Sequence, residues 1–281
     1  TITGTNGKST TSKLLYEILK EHKKDVRLTG NIGNPILIEN KIKNNTIFII
    51  EASSYQLEYS KYFKSEYSLI LNTSPDHLER HGNFRNYVRS KFKLIENQSN
   101  KNYAFIDNNN KILNHLIKKY KIKSKINKVN YKKYYKYFKL IKNNYFNNIS
   151  NFQNLSFIFA LSKYLKLSFK KIIKTSNKFK GLNFRQQIIY NSKKLIIIND
   201  SKSTSFSSTR PLLESFEKVS TFERRAGSSF HCLLASGGRP DQSFPNRETV
   251  KLMPKSDEFE RGTGGGTKNS GFGPPPGSQI L

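Results

Sequence analysis

The opening stretch "TITGTNGKSTTSKLLYEILKEH" constrains this chain more than any other feature. A clipped apolar start runs into a glycine-rich turn, and the turn runs directly into a helix. Leu14, Leu15, Ile18 and Leu19 recur at helical spacing, which makes that helix amphipathic. Gly4 and Gly7 let backbone N–H groups approach a phosphate closely, and the helix offers it a positive N-terminal end. In that setting Lys8 reaches the β- and γ-phosphates and the Ser9 hydroxyl ligates Mg²⁺, while Thr5, Asn6 and Thr10 complete the nucleotide-facing loop. The full P-loop pattern has a Gly five residues before Gly7. Ile2 stands there, so "GTNGKST" is a shortened variant.

Downstream, apolar runs of strand length alternate with helical stretches, the pattern of an α/β protein with a parallel sheet. "TIFIIEASSYQLE" reads as a strand that stops at Glu51. "YSLILNTSPDHLERHGN" stops at Asn72, just before Asp76 and His77, and "KLIIINDSKSTS" stops at Asn199 and Asp200. A helix is expected over Phe152 to Leu165. Ligands of open parallel sheets bind beyond the carboxyl ends of the strands. A phosphate-type loop, a carboxylate, an Asp-His pair and an Asn-Asp-Ser-Lys group all at such ends are best explained by one site. His81 reads as structural or solvent-facing.

Composition separates two kinds of text within the 281 residues. Up to Val219 the chain is rich in Lys, Asn and Ile. From Ser220 it turns rich in Gly, Pro and Ser, holds the only Cys and Met, and keeps no apolar period beyond a few residues. That stretch reads as a disordered tail or as the product of a frameshift or chimeric join, the second being favoured. Residues 100–148 suggest short strands and a helix under a lysine-covered surface. A single Cys rules out an intramolecular disulfide framework and gives no sign of export. The apolar runs are far shorter than the roughly 20 residues of a membrane span. No signal peptide is visible, and a start at Thr1 looks cut. The formal charge of +29 invites a nucleic-acid reading. Lys, however, arrives together with Asn, Ile, Tyr and Phe and is spread along the chain, so nucleotide bias in the coding sequence accounts for it as well.

"TGTNGKSTT", "EASSYQLE", "NTSPDHLERHG" and "NDSKSTS", in this order, resemble the Mur ligase family of peptidoglycan synthesis from Thr1 to about Val219. "SSYQLE" is similar to the D-glutamate-adding branch. The resemblance implies a cytoplasmic, monomeric ATP-dependent amide ligase that joins D-glutamate to UDP-N-acetylmuramoyl-L-alanine through an acyl phosphate. It implies a P-loop-type central domain over residues 1–181, the start of a Rossmann-like third domain over 182–219, and an atypical tail over 220–281. By the same resemblance Lys8 steadies the transferring phosphoryl, and Ser9 and Glu51 hold one Mg²⁺. His77 serves a second Mg²⁺, and Lys91 in "YVRSKFKLIE" matches the family's carbamylated lysine. Asn31 matches a position near the muramoyl substrate and Asn154 an adenine-side position. Arg185, Asp200 and Lys202 match nucleotide- and D-glutamate-side positions.

Departures from the family pattern are local. "SN" (Ser150, Asn151) replaces its "HN", "GLNFR" replaces "GLPHR", and "NDSKSTS" replaces "NDSKATN". The first domain and the later third-domain residues are not found, so this chain alone is expected not to ligate. The other readings are a Mur-type ligase for a different amino acid and a basic nucleic-acid-binding module.

Overall fold

The computed structural model describes residues 1–146, 149–192, 196–202, 219–223 and 232–235. The chain runs β1 (Ile2–Thr3), α1 (Lys8–Glu21), β2 (Val26–Gly30), β3 (Ile47–Glu51), α2 (Ser54–Tyr59) and β4 (Tyr67–Ile70). It continues α3 (Leu78–His81), α4 (Phe84–Glu96), β5 (Tyr103–Asp107), α5 (Lys111–Lys119), β6 (Lys125–Val129) and α6 (Tyr135–Phe138). Last come α7 (Ile149–Leu165), α8 (Phe169–Lys178), β7 (Gln187–Asn191), β8 (Ile196–Asn199), β9 (Val219–Glu223) and β10 (Cys232–Ala235).

Strands β1 to β6 form one sheet in the order β2-β3-β1-β4-β5-β6, with every pair parallel. Side chains alternate across its two faces, as the period-2 geometry of a strand requires. Ile2, Leu69, Leu71 and Phe105 pack into one core with Leu14 and Ile18 of α1 and with Phe157, Ile158 and Phe159 of α7. The intervening Ile70, Ala104 and Ile106 pack into a second core with Val88, Phe92 and Ile95 of α4. Both faces of the inner strands are therefore covered, which explains why they read as continuous apolar runs. The edge strand β6 carries exposed Lys125 and Lys128, which blunt the open edge. β5, α5 and β6 fulfil the expectation of short strands and a lysine-covered helix. The helix expected from Phe152 begins three residues earlier, at Ile149.

β1 is only two residues long, yet it sits between β3 and β4. Its carboxyl end thus lies beside theirs, at the point where the strand order reverses, and such switch points open a crevice for ligands.

A second, four-stranded sheet has the order β7-β8-β10-β9 and antiparallel pairing. The sequence reading grouped the Asn199–Asp200 strand end with the parallel ends, and here the structure differs. An apolar run of strand length carries no record of its pairing direction, which the neighbouring strands decide. β9 and β10 fall in and just before the stretch whose apolar period lapses. Each is short enough to form without a sustained period. The third-domain stretch "FSSTRPLLESFEKV" up to residue 218 and the Gly/Pro-rich residues from 236 onward lie outside the described residues. Among the described residues no helix is long and apolar enough to cross a membrane.

Candidate functional site

The glycine loop closes on itself through Asn72, just past the end of β4. The Asn72 Oδ1 accepts the backbone N–H groups of Thr5 (3.1 Å) and Asn6 (2.8 Å), and its Nδ2 donates to the Asn6 carbonyl (3.0 Å). Thr5 Oγ1 donates to the Ser74 carbonyl, receives the Ser74 N–H, and lies 3.1 Å from the Tyr87 hydroxyl. Gly7 ends the loop with φ +81°, and a Cβ there would stand 2.1 Å from Asn154 Nδ2. Only glycine allows both that backbone and the approach of Asn154. Helix α1 begins at once, with no side-chain cap. By contrast, α2, α4 and α5 start on Ser53, Asn83 and Asn110, each of which caps its helix through its side chain. An uncapped first turn leaves N–H groups pointing outward with the positive end of the helix dipole, an arrangement that suits an anion.

Two lysines converge on this loop. Lys8 Nζ donates to the carbonyls of Gly4 (2.9 Å) and Thr5 (2.7 Å), and Lys91 Nζ donates to the same Gly4 oxygen (3.0 Å). Lys91 is 1% exposed and lies over the Tyr87 ring. Among the described residues no carboxylate is within ion-pair distance of it. Burial, and then the Lys8 charge, push its amine well below the usual lysine range. Burial also lowers Lys8, against the attraction of Glu51 and Asp76. Two amines sharing one acceptor repel each other unless negative charge arrives.

That charge is supplied only in part by Glu51, which ends β3 beside β1 and is 1% exposed. Its Oε1 accepts from Asn31 Nδ2 (3.1 Å), while Oε2 is buried with no hydrogen-bond partner. Asn31, expected near substrate, here orients this carboxylate. His77 takes a left-handed backbone, φ +51°, that turns the chain into α3. Its ring lies 3.6 Å from the Asp76 carboxylate, 3.7 Å from that of Glu79, and against Tyr55. His81 is buried and contacts Ser54 Oγ at 3.0 Å, a structural role as expected.

The third-domain residues are reached through the turn that precedes β7. Arg185 is half-buried and close enough to lower the Lys8 amine by its charge. Asp200 Oδ1 accepts the Gln186 N–H at 3.0 Å. Lys202 is exposed and lies over the Phe184 ring. It is the one predicted site residue with no printed contact toward the loop or Glu51. Asn72, Tyr87 and Tyr145 were not singled out as site residues. For Asn72 the signal existed, since a polar amide closing an apolar strand beside the loop strand is placed to clamp the loop. For Tyr145, in a stretch crowded with Tyr and Lys, no signal existed.

The site's donors suit a hard cation. Among the described residues no three His, Cys, Asp or Glu gather into a metal cluster. Ser9 and Glu51 offer oxygen only, and the unpartnered Glu51 Oε2 is a free ligand position. Such a partial oxygen set fits Mg²⁺, which keeps waters and takes phosphate oxygens rather than an all-protein cage.

The sequence matches the family described as "Mur ligase middle domain" over residues 2–170. It is 32% identical over 224 residues to the UDP-N-acetylmuramoylalanine--D-glutamate ligase of Rickettsia bellii, covering 73% of this chain and 49% of that protein. With the same-named ligase of Caldicellulosiruptor saccharolyticus it shares 34% over 236 residues, 77% of this chain and 52% of the relative. The chain therefore spans about half the length of these relatives. In fold it is similar to MurF from Acinetobacter baumannii, with TM-score 0.62, 17% identity, and 78% of this chain and 54% of that one covered. MurF ligase from Thermotoga maritima, solved in complex with ADP, superposes with TM-score 0.59 and 15% identity, covering 78% and 56%.

Proposed function

Because this chain belongs to the Mur ligase family and carries its middle domain over residues 2–170, we propose that it is the ATP-binding part of a D-glutamate-adding ligase of peptidoglycan precursor synthesis. The carrying observation is the uncapped glycine loop with Lys8 and Lys91 on one carbonyl, set beside the buried, half-unpartnered Glu51. Two buried amines and a helix N-terminus call for a polyphosphate. An oxygen donor pair beside them calls for its Mg²⁺. The D-glutamate assignment rests on "SSYQLE" and on the names of the relatives.

In the proposed reaction a carboxylate oxygen of UDP-N-acetylmuramoyl-L-alanine attacks the γ-phosphorus of ATP, and the bond to ADP breaks. The amine of D-glutamate then attacks the acyl carbon, loses a proton, and phosphate leaves with the electron pair of the C–O bond. Such chemistry is positioning and charge neutralisation. Lys8 tracks the transferring phosphoryl, Asn72 and Gly7 hold the loop open to it, and Ser9 and Glu51 hold Mg²⁺, which neutralises phosphate charge when bound. His77 is assigned to a second Mg²⁺. Lys91 is assigned as the carbamylated lysine, its depressed amine being the neutral nucleophile that carbamylation needs. Asn154 and Arg185 are assigned to the nucleotide, Asp200 and Lys202 to the nucleotide and D-glutamate side, and Asn31 to the muramoyl side through Glu51.

In this reading residues 1–181 are the ATP-binding domain, 182–219 begin the third domain, and 220–281 are atypical. The protein works as a cytoplasmic monomer without nucleic acid. Spanning half of its relatives, this chain alone binds nucleotide without completing ligation. Calorimetry with Mg·ADP tests the core of the reading. Binding is expected in the wild-type chain and lost in Lys8→Ala, and equal affinity in the two would end the nucleotide assignment. D-glutamate-dependent phosphate release from this chain would overturn the claim that it does not ligate.

A further inference from the structure

We propose that the Tyr145 hydroxyl couples occupancy of the glycine loop to the setting of residues 181–186, and through them to the placement of Arg185. The inference rests on the reading of the loop as a nucleotide site and adds a positioning residue to it.

Tyr145 touches both sides of the joint at once. Its hydroxyl is 3.0 Å from Thr10 Oγ1, in the first turn of α1 directly after Lys8 and Ser9. Its backbone carbonyl accepts from Asn151 Nδ2 (2.7 Å), and the same nitrogen donates to Gln186 Oε1 (3.1 Å). Its ring packs edge-on to Phe179 and covers Gly181, where φ is +76° and a Cβ would stand 2.8 Å from Tyr145 Cε2. The ring and that glycine therefore fix how closely the joint approaches α1.

The joint itself is held under backbone strain. Phe184 (φ +65°) and Gln186 (φ +47°) both take left-handed conformations without being glycine. Such conformations persist where the surroundings over-determine them. Here Asp200 accepts the Gln186 N–H, and the Phe184 carbonyl accepts the Lys202 N–H. Arg185 lies between the two strained residues, within electrostatic reach of both Lys8 and the Tyr145 hydroxyl. Burial pushes that hydroxyl up to about 12, so it stays protonated and available to Thr10 throughout the neutral range. A phenylalanine would fill the same space. The added oxygen is what reaches the loop helix, and a buried hydroxyl needs its partner kept in place.

Backbone hydrogen exchange at residues 181–187, with and without Mg·ADP, tests the coupling. In the wild type, saturating Mg·ADP is expected to slow exchange there roughly tenfold. In Tyr145→Phe that response is lost, while Mg·ADP still binds within about threefold of wild-type affinity, since no contact to the nucleotide is removed. Thr10→Ser, which keeps the oxygen, retains the response. A wild type that binds Mg·ADP without slowing at the joint overturns the coupling and needs no variant to do so. A Tyr145→Phe protein that responds like wild type, or that exchanges faster to the same extent with and without nucleotide, reduces Tyr145 to packing. If the wild type does not bind Mg·ADP at all, the nucleotide reading itself falls, and that result is distinct from binding without a response.

Discussion

The two halves of the parallel sheet obey the same construction rule and end differently. On the β5 and β6 side, the polar residues past the strand ends satisfy one another. Asn110 Oδ1 caps α5 by accepting the Leu113 N–H at 3.0 Å, its Nδ2 donates to Thr73 Oγ1, and Asn114 Nδ2 donates to the carbonyls of Asn108 and Asn110. On the β1, β3 and β4 side the accounts are left open: α1 has no cap, Lys8 and Lys91 share one acceptor, and Glu51 keeps a buried oxygen without a partner. Polar groups alone therefore do not mark a site, because the quiet half has as many. The mark is burial without mutual satisfaction, since such groups are costly until a ligand completes them.

The largest expected effect removes the charge that most needs an anion. Lys8→Ala should weaken Mg·ADP binding by about 10- to 100-fold, from the roughly 1.5–3 kcal/mol of a charge-assisted contact. Calorimetry reads this directly. Next comes Glu51→Gln, which keeps the shape and the Asn31 contact but removes the charge. It should cost roughly tenfold in affinity measured with Mg²⁺ and almost nothing in affinity for free ADP, as expected of a residue that acts through the cation. An equal loss with and without Mg²⁺ would make Glu51 a direct nucleotide contact and break its place in the comparison.

Much of the busy half was legible because its signals are local. The glycines, the uncapped start of α1 and the stop of β3 at Glu51 all follow from a few adjacent residues, and the buried stripe of Leu14, Leu15, Ile18 and Leu19 follows from period alone. The joint was harder. Tyr145 meets Thr10 across 135 residues of chain, and nothing in "NNYFNN" distinguishes it from the tyrosines that merely stack. The pairing direction of β8 was not legible either, since "IIIN" would suit a parallel or an antiparallel neighbour. What Asn31 does depended on the side-by-side pairing of β2 and β3, in which Gly30 stands opposite Glu51.

A smaller effect follows from Lys91. Its amine is depressed in the folded chain, so between that lowered value and the ordinary 10.5 the unfolded chain binds more protons. Stability should therefore rise with pH across this window, and below it the folded state bears the full cost of the buried charge. Lys91→Met removes the cost without leaving a cavity. It should raise stability at pH 7 by about 1–3 kcal/mol and flatten part of the slope, Lys8 supplying the remainder. Denaturant titrations at several pH values measure both. A variant less stable than wild type would show that the Gly4 and Tyr87 contacts outweigh desolvation.

The smallest effect belongs to the quiet half and is the control for the rest. Asn110→Ala takes away the cap of α5 and the bond to Thr73, and a lost cap costs about 1 kcal/mol of stability. Because α5 packs through Leu113 into the core shared with α4, the loss should stay within that side of the sheet. Mg·ADP affinity should be unchanged within error, while urea titration shows the lower midpoint. If affinity falls as stability does, the two halves are not separable, and open polar groups at β1, β3 and β4 would owe their arrangement to the packing of the whole sheet. If only stability moves, satisfied polar ends serve the fold and unsatisfied ones serve the ligand.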